Sequence, residues 1–210
     1  VINDEEKQVT AIHEAGHALL GCVLEHADPV HKVTIIPRGQ ALGVTQQLPV
    51  DDKHNYSTLY LHDQVAVLLG GRIAEELTNT AVTTGAGNDF DRVTDLARRM
   101  VCEWGMSEAL GPRTFGRKEE QIFLGRDFAQ HTEYSQETAN SIDGEIKRIV
   151  TENYDRARSI LEEKKSALLR IAEELLTREV LSGEQVLRII SGLPLEAPVE
   201  AAPVASDEHA

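Results

Sequence analysis

The chain is poor in cysteine, in aromatic residues and in positive charge, and it has no long apolar run. Two cysteines, Cys22 and Cys102, with no C-x-x-C pair, exclude a disulfide framework and make a reducing compartment the expectation. Twenty-one Lys+Arg stand against 35 Asp+Glu, a net charge of -14, which excludes nucleic acid or an anionic membrane surface as the main partner. No stretch approaches the roughly 18–20 apolar residues of a membrane-spanning helix. No signal peptide opens the chain either, so direct membrane insertion is not expected. The 210 residues are 41% hydrophobic, an ordinary globular content, and folding would bury roughly 70% of the surface. The opening Val1-Ile2-Asn3 carries no Met and enters a helical pattern almost at once, so the sequence reads as a piece of a longer protein.

What is present is concentrated between Val9 and Val23, VTAIHEAGHALLGCV, which contains His13-Glu14-Ala15-Gly16-His17. This is H-E-x-x-H, the pattern of a zinc peptidase when it lies on a helix. Two imidazole nitrogens on one tetrahedral zinc, each about 2.0–2.1 Å from it, must sit about 3.4 Å apart. Side chains at i and i+4 share a helix face and converge to that separation without bending the backbone. Glu14 points about 100° round the helix, where it flanks the metal and can take a proton from bound water. The context supports a helix. Asn3 can cap and Glu6 can reach back, and Val9, Ile12, Leu19, Leu20, Val23 and Leu24 recur near a helical period. Cys22 falls on the apolar side and reads as a core residue. A mid-helix glycine costs roughly 1 kcal/mol against alanine, so Gly16 signals crowding on that face.

Further along, residues 31–37 (HKVTIIP) and 42–48 (LGVTQQL) read as a hairpin, bounded by proline and turned at Arg38-Gly39-Gln40. It either offers a sheet edge to an extended substrate or simply covers the metal helix. Residues 57–77 read as a helix with Gly70-Gly71 in its middle, packed against Ala15 and Gly16. A Gly-rich turn, Thr83 to Asp89, leads into a helix over 88–103, and residues 113–125 suggest a short hairpin. Amphipathic helices follow over 135–164 and 165–178, and a short one over 183–190 opens with the box Ser182-x-x-Gln185. From Leu193 the Pro/Ala/Glu-rich tail, 193–210, is expected to be disordered. The expected fold is mainly α with a small β-hairpin: a catalytic part over 1–125, then a helical part over 126–192 of the same domain.

A catalytic zinc takes three protein ligands and a water. The continuation H-x-x-G-x-x-H is excluded, because Leu20 and Val23 stand where it needs glycine and histidine. A carboxylate from a later element remains, and Glu75, Glu76 and Asp89 all qualify by spacing. Glu75 and Glu76 could instead salt-bridge or orient a ligating imidazole, and Asp89 could cap its helix. His26, His31, His54, His62, His131 and His209 have no partner at ligand spacing.

Five segments in order, HEAGHA at 13–18, HKVTIIPRG at 31–39, GGRIAEE at 70–76, TTGAGND at 83–89 and WGMSEALGP at 104–112, resemble the FtsH family of membrane-anchored, ATP-dependent zinc proteases. The resemblance covers nearly all of the chain except the tail. It implies a largely helical peptidase domain that binds Zn2+ through His13, His17 and Asp89. Glu14 becomes the catalytic base, and Glu75 and Glu76 take support roles. It also implies protein or peptide substrates, a homohexameric ring, an ATPase module of the same protein, and a place on the cytoplasmic face of a membrane through segments outside this sequence. The chain holds no G-x-x-x-x-G-K-[ST], so it cannot bind ATP by that loop. Two other classes compete. A non-catalytic oligomerisation module would not need Glu14 beside a full ligand set, and a structural zinc site would prefer four Cys/His ligands.

Overall fold

The computed structural model describes residues 3–50, 52, 54–78, 82–116 and 134–198. Its first helix, α1 (Asp4–Val23), begins where the sequence says it should. The Asn3 side chain accepts from the Glu6 amide at 2.8 Å, the Glu6 carboxylate accepts from the Asn3 amide, and Asp4, Glu5 and Glu6 lie at the positive end of the helix dipole. Two short strands follow, β1 (Val30–Thr34) and β2 (Val44–Gln47), and then α2 (Thr58–Leu77), capped by the Ser57 hydroxyl. A single 3-10 turn (Thr84–Ala86) leads into α3 (Gly87–Cys102). The chain continues through α4 (Gln136–Glu163), α5 (Lys165–Arg178), β3 (Val180–Ser182) and α6 (Gly183–Ile190).

Helices α1 and α2 form the centre, and glycine lets them meet. A Cβ on Gly16 would fall 2.2 Å from the Gly70 carbonyl oxygen, and one on Gly70 would fall 2.9 Å from the Gly16 carbonyl oxygen. The backbones touch, which only glycine on both sides allows. The expected packing of Gly70 on Gly16 is therefore present, while Gly71 meets the His13 ring instead. Leu19, Leu20, Val65 and Ile73 fill the seam, and Leu161, Leu168, Ile171 and Leu175 close it from α4 and α5. A second cluster, Leu61, Ala97, Met100, Val101, Ile142 and Ile149, binds the start of α2 to α3 and α4. The later helices thus pack back onto α1 and α2.

The sheet is antiparallel throughout, in the order β2-β1-β3. The hairpin forms, with shorter strands than the sequence suggested and a bulge at His31, between the pairs Val30–Gln47 and Lys32–Gln46. The third strand was not expected. Glu179, at φ 63°, closes α5 in the left-handed region and turns the chain into β3, where Leu181 is buried opposite Val33. Gly183 then lies so close to β1 that a Cβ would collide with the Val30 carbonyl oxygen. Among the described residues no helix is long and apolar enough to cross a membrane. Most of the suggested 113–125 hairpin, His131, His209 and the tail beyond residue 198 lie outside the described residues, as does the suggested division near 125.

Candidate active site

His13 and His17 sit one turn apart on α1, and their Nε2 atoms are 3.0 Å from each other. Asp89, in the first turn of α3, brings its Oδ2 to 3.2 Å from the His13 Nε2 and 3.3 Å from the His17 Nε2. The three donor atoms thus form a near-equilateral triangle, close to the edge of about 3.4 Å that a tetrahedral zinc requires. No other cluster of three such groups occurs among the described residues.

The opposite nitrogens explain why this triangle suits a cation. The His13 Nδ1 is 2.8 Å from the Glu75 carboxylate, and the His17 Nδ1 is 2.7 Å from the Val67 carbonyl. Both partners are pure acceptors, so each Nδ1 carries a proton, and in the neutral ring each Nε2 is left with its lone pair. Three electron-rich atoms then face one another, and a positive charge must lie among them. The same field acts on the protons of these groups. Burial pulls the His13 imidazolium down, yet hydrogen bonds to Asp89 and Glu75 and the nearby Glu14 charge raise its pKa to about 9. Burial pushes Asp89 up, and the two imidazoles more than reverse this, holding its carboxyl well below the usual range. The donor set, two imidazoles and a carboxylate, fits zinc.

Glu14 is buried beside the triangle without joining it. Its Oε2 accepts a hydrogen bond of 2.7 Å from the Thr45 hydroxyl of β2, which also donates to the Glu14 carbonyl. Gly43 allows this approach, since a Cβ there would fall 2.8 Å from both Glu14 Cγ and Thr10 Cγ2.

Of the paired acids on α2, Glu75 faces the site and Glu76 does not. Glu75 is 1% exposed; one oxygen takes the His13 Nδ1–H and the other accepts from the Thr83 amide at 3.1 Å. Glu76 turns to α4, where the Tyr154 hydroxyl and Arg158 hold it. His62 pairs with Asn153 and His26 lies near Glu25, both away from the triangle.

The family model described as Peptidase family M41 matches residues 1–189. The chain belongs to peptidase family M41. It is 51% identical over 200 residues to an "ATP-dependent zinc metalloprotease FtsH" of Magnetococcus marinus, a match spanning 95% of this chain and 30% of that protein. A protein of the same name from Acidobacterium capsulatum is 53% identical over 195 residues, spanning 93% of this chain and 30% of its own length. One from Myxococcus xanthus is 47% identical over 213 residues, 99% of this chain and 33% of that protein. This M41 chain therefore spans about a third of the length of these relatives.

Three contributors to the M41 site carried no signal in the sequence. The Val67 carbonyl and the Thr83 amide are backbone groups, which every residue type offers. Thr45 lies in the expected 42–48 strand, but only the crossing of β2 over α1 brings it to Glu14.

Proposed function

We propose that this chain is the peptide-hydrolysing domain of an FtsH-like protease: a zinc metalloendopeptidase with His13, His17 and Asp89 as ligands. The observation that carries the reading is the convergence of these three donors beside a buried glutamate. When bound, zinc supplies Lewis acidity toward a carbonyl oxygen and lowers the pKa of a water molecule toward about 7. The remaining work falls to the chain's own residues. Glu14, held through Oε2 by Thr45, takes the water proton on Oε1 and returns it to the departing amine. Glu75 and the Val67 carbonyl keep both imidazoles in the tautomer that leaves Nε2 free.

The substrate is an extended, unfolded segment of protein. Among the described residues β2 is an edge strand hydrogen-bonded to β1, and a backbone added along its other edge would run past Thr45 and Glu14. In the longer protein an ATPase module of the same polypeptide, arranged as a homohexamer on the cytoplasmic face of a membrane, delivers such segments. The isolated chain then cleaves unfolded protein or short peptides without ATP dependence.

Zinc analysis combined with cleavage of unfolded casein tests the proposal. The parent should hold one zinc and cleave, chelation should stop cleavage, and added zinc should restore it. Glu14→Gln should keep the zinc and lose cleavage. Cleavage by Glu14→Gln at the parental rate, or a parent indifferent to chelation, would overturn it.

A further inference from the structure

Resting on that reading of the metal site, we propose that Arg72 is a positioning residue that sets where Asp89 stands, although its hydrogen bond, ion pair and ring contact among the described residues go to Thr83, Glu75 and Phe90. Asp89 is in the first turn of α3, whose N-cap residue Ala86 makes no side-chain cap bond. The turn before it contains Gly85, and Gly87 opens the helix, both residues that restrain a backbone least. Left to itself, this segment would place Asp89 loosely.

Helix α2 supplies the restraint from two residues three apart on one face, Arg72 and Glu75. Glu75 accepts from the Thr83 amide at 3.1 Å, and Arg72 Nη2 donates to the Thr83 carbonyl at 2.9 Å. Thr83 is thus gripped on both sides of its Cα. Its own hydroxyl accepts from the Gly85 amide at 3.2 Å, which passes the constraint into the 3-10 turn. The guanidinium also lies over the Phe90 ring, 4.7 Å from its centroid, and Phe90 follows Asp89 directly. One planar cation therefore fixes the segment before Asp89 and the residue after it. Among the described residues Arg72 Nε has no hydrogen-bond partner and lies 4.0 Å from the Glu75 carboxylate, so that ion pair steadies the clamp without consuming its Thr83 contact.

A lysine cannot reproduce this. An ammonium is a point donor without a planar face, so it can reach the carbonyl or sit on the ring, but not do both as a rigid fork does. The neighbouring acid, Glu76, is engaged with α4 and takes no part.

The test is zinc affinity by chelator competition, with the visible spectrum of the cobalt-substituted protein as a second readout. It uses the parent, Arg72→Met, Arg72→Lys, His13→Ala and the control Arg158→Met. Arg72→Met keeps the apolar stem and should bind zinc about tenfold more weakly, the lower end of what losing an outer support costs. Its cobalt spectrum should change, while the melting temperature of the chelator-treated protein stays at the parental value. Arg72→Lys should fall between parent and Arg72→Met, and Arg158→Met should match the parent. Parental affinity and spectrum in a folded Arg72→Met or Arg72→Lys would overturn the inference. So would failure of both to fold, which would make Arg72 a residue of the fold. If the parent binds no zinc, or His13→Ala binds as the parent does, the metal-site reading itself fails instead.

Discussion

Gly71 lies against the imidazole of His13: a Cβ added to Gly71 would fall 2.4 Å from Cε1 and 2.5 Å from Nε2 of the ring. Any side chain there must push the imidazole aside, and the ring is not free to yield because Glu75 holds its Nδ1. Gly71→Ala should therefore weaken zinc binding at least about tenfold and reduce peptide cleavage with it, as loss of a ligand's support does. Alanine gains up to about 1 kcal/mol of helix propensity over glycine, so the metal-stripped protein should not lose stability in proportion. Chelator competition and a denaturant melt separate the two effects; parental zinc affinity would refute the steric argument.

Gly16 gives the contrasting case. Its added Cβ would meet the Gly70 carbonyl oxygen at 2.2 Å and the Ala74 Cβ at 2.8 Å, and backbone cannot rotate away as a side chain can. Gly16→Ala should force α1 and α2 apart and cost about 1–3 kcal/mol or more, the usual penalty of overpacking. Urea unfolding should show a lower midpoint with an unchanged slope. A midpoint equal to the parent's would mean that the helices separate freely at this crossing.

The acids at 75 and 76 differ by a turn of 100° and should differ in consequence. Glu75→Gln has a single acceptor oxygen, so it cannot serve both the His13 Nδ1–H and the Thr83 amide as the two carboxylate oxygens do. Zinc affinity should fall about 10- to 100-fold. Glu76→Gln loses a partly exposed ion pair to Arg158, worth about 0–1 kcal/mol, and should leave zinc binding at the parental level. Equal effects from the two variants would contradict the geometry.

These two acids also mark how far the sequence could be read. Helix ends were legible because capping is local: Asn3 with Glu6 and Ser182 with Gln185 both cap where their residue types suggest. The facing of His13 and His17 was legible because helical spacing fixes it. Which of Glu75, Glu76 and Asp89 would approach them was not, because that depends on the angle at which α2 crosses α1. Only the family resemblance pointed to Asp89. Strand β3 is illegible for another reason: three residues, Val180–Ser182, are too few to show alternation, and pairing with β1 makes them a strand.

Thr45 is the contact that positions Glu14 from outside its helix. Thr45→Val keeps the shape and removes the hydroxyl that donates to Oε2 at 2.7 Å. A hydrogen bond to a charged group contributes about 1.5–3 kcal/mol, so a tenfold or greater loss of peptide cleavage is expected. Zinc content should be unchanged, because Thr45 touches no ligand. Serine in its place should restore most of the rate. A fully active Thr45→Val would show that Glu14 needs no such support.

Cys22 provides a test of the core that is independent of the metal. It is half-buried against the main cluster, and burial alone pushes its thiol from 9.0 up to about 11. A thiolate is the reactive species, so at neutral pH the folded protein should hold about a hundredfold less of it at this position than the unfolded chain. Iodoacetamide at pH 8 should label Cys22 far more slowly in the native protein than in urea. The linked effect on stability has a definite sign. The folded state keeps its proton where the unfolded state has lost it, so this contribution is fully present below pH 9.0 and fades as pH rises toward about 11. Cys22→Ala should remove that part of the alkaline loss. Native labelling as fast as in urea would show that the α1 face carrying Cys22 opens to solvent, against the packing described.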